Sequence, residues 1–141
     1  MSTENVNIVR FEEGASVLVR PGHEPAAFDF EEQPLPENAV VALPADRVRS
    51  LTVQVSPDEV KHLRQALPFM LEESLLDDVD ALHFAHKKLD DAHHAVAVID
   101  RETLTHWVAE MPESLQEKPW VSEAFCLPWS EDHCTIVFED Q

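Results

Sequence analysis

The stretch SPDEVKHLRQALPFMLEESLLDDVDALHF, residues 56–84, holds the longest helical pattern and the densest acidic cluster of the chain. It begins with the residues of a capping box, because Ser56 is a good N-cap, Pro57 suits the first helical position and Glu59 follows the cap by three residues. Apolar side chains then recur at spacings of three and four, which predicts one buried stripe on a long helix. The stripe consists of Val60, Leu63, Leu67, Met70, Leu71 and Leu75.

Pro68 lies inside this helical pattern, where it removes a backbone donor and clashes with the preceding turn. We therefore expect a kink, or two helices that meet near Leu67. Phe69 does not fit the stripe, since at about 100° per residue it points roughly opposite Val60, with Leu76 beside it seven residues later. Either the kink or another element covers Phe69, or Phe69 and Leu76 form an exposed contact for a partner.

Acidic side chains crowd the end of the same helix, at Glu72, Glu73, Asp77, Asp78 and Asp80. Acidic residues at a helix C-terminus oppose the macrodipole and cost about 0.3–1 kcal/mol each, so they do not stabilise the helix locally. They belong either to a solvated helix end that caps or pairs with the following strand, or to a contact for a basic partner. The hypothesis of a contact gives one candidate surface. Its residues are Phe69, Glu72, Glu73, Leu76, Asp77 and Asp78.

The composition indicates a globular chain with a strongly acidic surface. Its 141 residues are enough for one domain with a core, and 44% of them are hydrophobic. The formal net charge is −18, from 28 acidic and 10 basic side chains, which excludes nucleic acid as a natural partner and favours basic proteins. No apolar run reaches the roughly 18–20 residues of a membrane span, so we expect no membrane contact by this chain. Two cysteines suit a reducing cytosol.

Strands and helices alternate along the rest of the chain, which predicts an α/β layered domain with a mixed sheet. A second helix, residues 101–111, follows an N-cap at Asp100, and its inner stripe is Leu104, Trp107, Val108 and Met111. Pro112 ends that helix, and residues 113–119 are expected to be a polar connection. The predicted strands cover residues 6–11, 16–20, 26–30, 39–43, 49–55, 81–87, 94–99, 120–127 and 134–138.

Two segments of the opening stretch resemble a known family. Residues 65–73, QALPFMLEE, and residues 77–84, DDVDALHF, are similar to the helix and the acidic segment of protein L of the bacterial type II secretion system, the GspL family. Leu43-Pro44 and Ile99-Asp100 also stand where the family has an "LP" strand end and a "VD" turn. The resemblance covers residues 39–129.

The resemblance implies a fold and a function. The fold is a mixed-sheet ribonuclease H-like lobe of the actin-like ATPase-related architecture, flanked by helices, and we expect residues 1–129 to form it and residues 130–141 to begin the next lobe or an added strand. The function is that of a cytoplasmic adaptor at the inner membrane which recruits the secretion ATPase, the E protein. In the family, a membrane helix and a periplasmic domain follow the cytoplasmic part. Protein M is expected to be a partner of the full-length protein through those parts, which we do not expect in this chain. A homodimer is compatible with this adaptor hypothesis.

A nucleotide-binding lobe of an actin-like ATPase is the alternative function. Such lobes bind phosphate through glycine-containing hairpins, whose backbone amides can approach the phosphates. This chain has two glycines, and Gly14 in the first hairpin follows Glu12 and Glu13, whose charges would repel a phosphate. An ordinary turn is the simpler role for Gly14, so we expect no enzymatic activity and no cofactor.

Histidines and cysteines offer weak metal candidates. If residues 81–87 and 94–99 pair as a hairpin, His83 or His86 could approach His93 or His94, near Asp90 and Asp91, in a zinc-like set. A surface or half-buried histidine is the simpler interpretation, and for His83 a hydrogen-bonding role in the fold. The cysteines, with His133, are equally weak ligands, because the strand over residues 120–127 would carry Cys126 into the core. We therefore expect no metal site.

Overall fold

The computed structural model describes residues 6–12, 15–127 and 131–134. The chain forms two compact units, one from residues 1–44 and 118–141 and one from residues 45–117. The predictions that concern the turn at Gly14 and the strand over residues 134–138 fall largely outside the described residues, and so does most of the segment 130–141.

The first unit contains a mixed five-stranded sheet. Its strands are β1 (Asn7–Arg10), β2 (Ser16–Val19), β3 (Ala26–Phe28), β4 (Ala39–Leu43) and β8 (Trp120–Ser122), in the order β3-β2-β1-β4-β8. β1 is antiparallel to β2 and parallel to β4, and β4 is parallel to β8. The all-apolar β4 lies inside this sheet, and Val9, Leu18 and Phe28 form a small core with Ala39.

The predicted strand over residues 120–127 is wrong beyond its third residue. β8 ends at Ser122, and a 3-10 turn follows at Glu123–Cys126. The hydroxyl of Ser122 accepts a hydrogen bond from the Ala124 N–H at 3.4 Å, and this local bond competes with continuation of the ladder. Cys126 is therefore half-buried on the turn and does not point from a strand into the core.

The second unit packs one helix across an antiparallel three-stranded sheet. The strands are β5 (Arg49–Gln54), β6 (Leu82–Lys88) and β7 (His93–Asp100), and β7 is central. The helix α1 (Leu63–Leu71) buries the i, i+4 row of leucines that the sequence placed on its inner stripe. The core consists of Val53, Val55, Leu63, Leu67, Leu71, Leu75, Leu82, Val96 and Val98. Val60 and Met70, predicted for the same stripe, are partly exposed at its margins.

The capping box forms only in part, so the α-helix starts later than predicted. The Ser56 N–H donates to the Glu59 carboxylate at 2.9 Å, but the Glu59 N–H donates to the Ser56 carbonyl and not to its side chain. These bonds close a turn, and a 3-10 turn at Val60–His62 precedes α1. Helix α1 runs through Pro68 without a break. Pro68 has no N–H to donate to the carbonyl of Arg64, four residues earlier, but Arg64 is exposed and its carbonyl can accept a hydrogen bond from water. The predicted junction of two helices near Leu67 is wrong.

The second helix has the predicted cap. Helix α2 (Arg101–Glu110) begins after Asp100, whose carboxylate accepts the Thr103 N–H at 2.8 Å. Trp107 and Met111 of its predicted inner stripe are buried. The polar connection expected at residues 113–119 is instead partly helical, because α3 (Glu113–Gln116) starts at Pro112 and buries Leu115. The amide of Gln116 donates to the Val108 and Met111 carbonyls and joins α3 to the end of α2.

The cap at Asp100 gives a pH-dependent prediction. Hydrogen bonds from the backbone and side chain of Thr103 lower the pKa of Asp100. A carboxylate whose pKa is lowered in the folded state stabilises that state above its unfolded pKa of about 4, and this stabilisation is lost as the pH falls through the folded pKa. Asp100→Ala should lower the melting temperature at neutral pH, and the difference from wild type should shrink in acid. Asp100→Asn is the control, because asparagine keeps the cap without titrating. A deficit in Asp100→Ala that is equal at both pH values would contradict the assignment.

Candidate partner-binding surface

All six residues of the predicted partner-binding surface are exposed, and all lie in the second unit. We call this set, Phe69, Glu72, Glu73, Leu76, Asp77 and Asp78, the acidic surface. Phe69 lies on α1 with 77% of its surface exposed, and Leu76 is 95% exposed. The alternative in which the proline or another element buries Phe69 is therefore wrong for the described part of the chain. Two large apolar side chains are thus exposed to solvent on the same segment as four carboxylates.

Buried leucines hold the acidic surface in place. Helix α1 ends at Leu71, a 3-10 turn follows at Glu72–Ser74, and Leu75 has extended backbone angles. Leu71 and Leu75 both point into the core of the second unit, so the residues between and after them are turned outward. The segment is thus fixed by packing at both sides, although its intervening side chains make no core contact. Such an anchored segment presents its exposed groups with little loss of conformational entropy on binding.

Asp78 also has a local structural role. Its carboxylate accepts the Asp80 N–H at 3.0 Å and caps the 3-10 turn Val79–Ala81 that leads into β6. This confirms, for one residue, the alternative in which the acidic cluster caps the following element. Within the described part of the chain, the side chains of Glu72, Glu73 and Asp77 cap no turn in this way, and these residues remain the better candidates for contact with a partner.

An open cleft of about 500 Å³ adjoins the acidic surface within the second unit. Leu75, Leu76 and Asp77 form one wall, and the starts of β5 and α2 contribute others. Its apolar lining comes from residues such as Val98 and Ile99, while Arg47, Arg49, Asp46 and Asp100 supply charges of both signs. Charged and apolar side chains therefore line this cleft together.

The histidines come together only as one pair. The rings of His86 on β6 and His94 on β7 have centroids 5.6 Å apart, which confirms the predicted approach across the hairpin. His93 instead bonds to the Asp90 carboxylate at 2.9 Å. Partial burial, with the charges of Arg101 and Arg64, lowers the pKa of His83, so its ring is neutral at neutral pH. Within residues 6–12, 15–127 and 131–134, no three His, Cys, Asp or Glu side chains are placed to hold a metal ion.

The cysteines are free thiols. Burial and the charge of Glu123 raise the pKa of Cys126, so its reactive thiolate form is scarce at neutral pH. Cys134 is exposed. Of the two glycines, Gly22 has a φ of +73°, which fits an ordinary turn, and Gly14 is not among the described residues. In the part of the chain that the structure describes, no helix is both long and apolar enough to cross a bilayer.

Residues 7–141 match the sequence model of the family described as Type II secretion system (T2SS), protein L. The chain is 34% identical over 106 residues to Type II secretion system protein L of Pseudomonas aeruginosa, a match that covers 70% of this chain and 26% of that protein. It is 30% identical over 101 residues to the protein of the same name from Pectobacterium carotovorum subsp. carotovorum, with 71% and 24% covered. The chain thus spans about a quarter of the length of these curated relatives.

The fold is similar to a solved structure, the cytoplasmic domain of EpsL, an inner membrane component of the type II secretion system of Vibrio cholerae. The TM-score is 0.64, and the match covers 91% of this chain and 61% of that one, at 16% sequence identity. At this identity the likeness concerns the fold alone. It confirms the predicted α/β class with a mixed sheet in the actin-like ATPase-related architecture.

Proposed function

The chain belongs to the type II secretion system protein L family, as the motifs in residues 65–84 predicted, and from this premise we propose that it is a non-enzymatic adaptor. It acts on the cytoplasmic side of the bacterial inner membrane and recruits the cytoplasmic secretion ATPase, the E protein, to the secretion platform. Residues 1–129 serve as the first ribonuclease H-like lobe, and residues 130–141 begin the next lobe or add a strand. Protein M and other platform proteins contact parts of a full-length protein outside this chain.

The observation that carries the proposal is the exposure of the acidic surface on an anchored segment. Phe69 and Leu76 provide apolar area, which contributes binding free energy when a partner covers it. The surrounding carboxylates favour a basic partner face, since complementary charges raise the association rate and select among partners. The net charge of −18 extends this preference to the whole molecule.

Charge reversal on the acidic surface tests the adaptor function. We expect Glu72→Lys with Glu73→Lys to weaken binding to the N-terminal domain of the cognate E protein by about tenfold or more and to reduce its salt dependence. The matched control is Glu31→Lys with Glu32→Lys, an exposed pair in the first unit that changes the net charge equally. Calorimetric titration at two salt concentrations measures both variants.

The control decides how the result is read. Equal weakening in both double variants would mean that net charge, and not the acidic surface, steers the partner. Unchanged binding after reversal of Glu72 and Glu73 would exclude the acidic surface as the contact. A folded chain that binds no E protein, while a longer cytoplasmic part does, would place the contact beyond Gln141.

The alternative, a nucleotide-binding lobe, is tested by thermal shift with ATP and Mg²⁺. A ligand at 100 times its dissociation constant should raise the free energy of unfolding by about 2.7 kcal/mol. We expect no shift, because only two glycines are available for phosphate hairpins and Glu12 and Glu13 directly precede the first of them. A shift that depends on nucleotide concentration would favour the ATPase reading.

A further inference from the structure

Strand β6 forms an edge of the three-stranded sheet in the second unit. It pairs with β7 over seven residues, from Leu82 opposite Asp100 to Lys88 opposite His94. No other strand among the described residues pairs with it. All of its residues after Leu82 are exposed except half-buried Phe84, so the outer side of the strand is open to solvent. An open edge of this length is a template for an added strand.

The phase of the ladder shows which backbone groups face outward. The Val55 N–H donates to the carbonyl of Ala92, which lies opposite Val55 one step beyond the end of the β5–β7 ladder. Backbone bonding to a given neighbour alternates along an antiparallel strand, so the even-numbered residues of β7 form hydrogen bonds with β5 and the odd-numbered residues form them with β6. The bond from the Leu89 N–H to the His93 carbonyl has the same phase on the other side of β7. His83, Ala85 and Lys87 of β6 therefore bond inward. The N–H and C=O groups of Phe84, His86 and Lys88 point away from the sheet.

Arg101 provides an independent check of this phase. Its guanidinium donates to the Leu82 carbonyl at 3.1 Å, which is the next even-numbered position of β6 and must also point outward. One end of the edge is thus already satisfied by a side chain. The outward N–H and C=O groups of Phe84, His86 and Lys88 have no strand beside them in the part of the chain that the structure describes.

The edge is basic on a protein that is otherwise acidic. Lys87 and Lys88 lie on β6, Arg101 bonds to its first residue, and Arg64 is close enough to lower the pKa of His83. These four residues are among only ten lysines and arginines in a chain with a net charge of −18. Lys88 pairs with exposed Asp91 at 3.1 Å, whereas Lys87 makes no ion pair with a described residue. The edge therefore concentrates positive charge beside unpaired backbone groups.

We infer that the free edge of β6 binds an extended acidic segment of a partner protein, which adds as a fourth strand to this sheet. Backbone hydrogen bonds to Phe84, His86 and Lys88 would supply affinity, and alternating carboxylates opposite the basic side chains would supply selectivity. A second copy of this chain is the wrong occupant, because two β6 edges would bring lysines and arginines together. This surface is separate in charge and sequence from the acidic surface and would serve a different partner.

A synthetic heptapeptide that alternates glutamate and threonine is the probe. We expect it to shift the amide resonances of Phe84, His86 and Lys88 in the 141-residue chain and to slow their hydrogen exchange. His86→Pro should weaken this binding by about tenfold or more, because proline removes an outward donor but no ladder bond. His86→Thr, which loses the ring but keeps the N–H, should bind like wild type.

The charge of the edge is tested by a second pair of variants. Lys87→Glu should weaken binding of the acidic peptide by about tenfold and allow a peptide that alternates lysine and threonine to bind instead. Lys61→Glu makes the same charge change at an exposed position on the 3-10 turn before α1, which is not part of β6, and should leave binding intact. These variants keep every backbone donor, so they remain informative even if proline disturbs the strand.

Three outcomes would overturn the inference. The first is a folded chain that does not bind the peptide. The role of Lys87 and Lys88 would then be to prevent the edge strand from pairing with other chains. The second is binding with resonance shifts elsewhere, or binding that His86→Pro does not change. The third is a dimer in sedimentation measurements that His86→Pro dissociates, which would make a second copy the occupant. Titration with the E protein is a separate measurement, so failure here does not bear on the adaptor function.

Discussion

Replacing Leu67 with alanine should lower the free energy of unfolding by about 2–5 kcal/mol, the range of large-to-small changes in packed cores. Leu67 is fully buried in the middle of α1, between Leu63 and Leu71, and it packs in the cluster that joins α1 to the sheet of the second unit. Alanine is the better helix former, so the loss would come from packing alone. Urea unfolding gives the change in free energy, and hydrogen exchange at β7 amides reports on the same core locally.

Phe69→Ala is the matched control for this prediction. Phe69 is two residues further along the same helix and is 77% exposed, so its truncation should change the free energy of unfolding by no more than about 0.5 kcal/mol. If the acidic surface is a contact, the same variant should weaken binding to the E protein without loss of stability. A large destabilisation by Phe69→Ala, or a small one by Leu67→Ala, would show that α1 presents the opposite face to the sheet.

The contrast between Leu67 and Phe69 also shows what the sequence could predict. The spacing of the leucines identified the buried face of α1, because periodicity depends only on helix geometry. The start of the helix was misplaced, since Ser56 and Glu59 can close a turn as well as cap a helix. The fate of Phe69 could not be decided at all. An apolar side chain off the stripe is covered or exposed according to tertiary contacts that no local pattern encodes.

Short elements were the other source of error, and each had a weak local signal. Ser122 ended β8 by bonding to the Ala124 N–H, and a serine before an acidic residue is a recognisable cap. Leu115 was the single large apolar residue between Pro112 and Pro119, and it anchors α3 in the structure. In both places a strand or loop prediction based on average composition overlooked one residue that fixed the local geometry.

For the candidate sites, sequence predicted residue types but not their partners. The exposure of the charged side chains at residues 72–78 could be predicted, because burying an unpaired charge costs free energy of desolvation. The basic edge of β6 could not be found in this way, because it depends on which strands are central and on the register of the hairpin. A slip of one residue would exchange the inward and outward groups of the whole strand.

Replacing His94 with leucine should raise the free energy of unfolding by about 1–3 kcal/mol, the usual penalty of a buried polar group without a partner. His94 is 4% exposed, and its Nδ1 atom is buried without a hydrogen-bond partner among the described residues. It lies opposite Val53 and on the same face of β7 as Val96 and Val98, so apart from the His86 ring its neighbours on this face are apolar. Leucine has a similar volume, so it removes the unsatisfied nitrogen without leaving a large cavity.

Two further variants make the His94 prediction specific. His94→Ala should destabilise the chain despite removing the same nitrogen, because it leaves a cavity beside Val53 and Val96. His86→Leu changes the exposed partner of the ring pair and should move the free energy of unfolding by no more than about 0.5 kcal/mol. Urea unfolding of the three variants separates the effects. If His94→Leu is destabilising, an ordered water satisfies Nδ1 in solution, and this polar group is retained in the core because it is hydrogen-bonded.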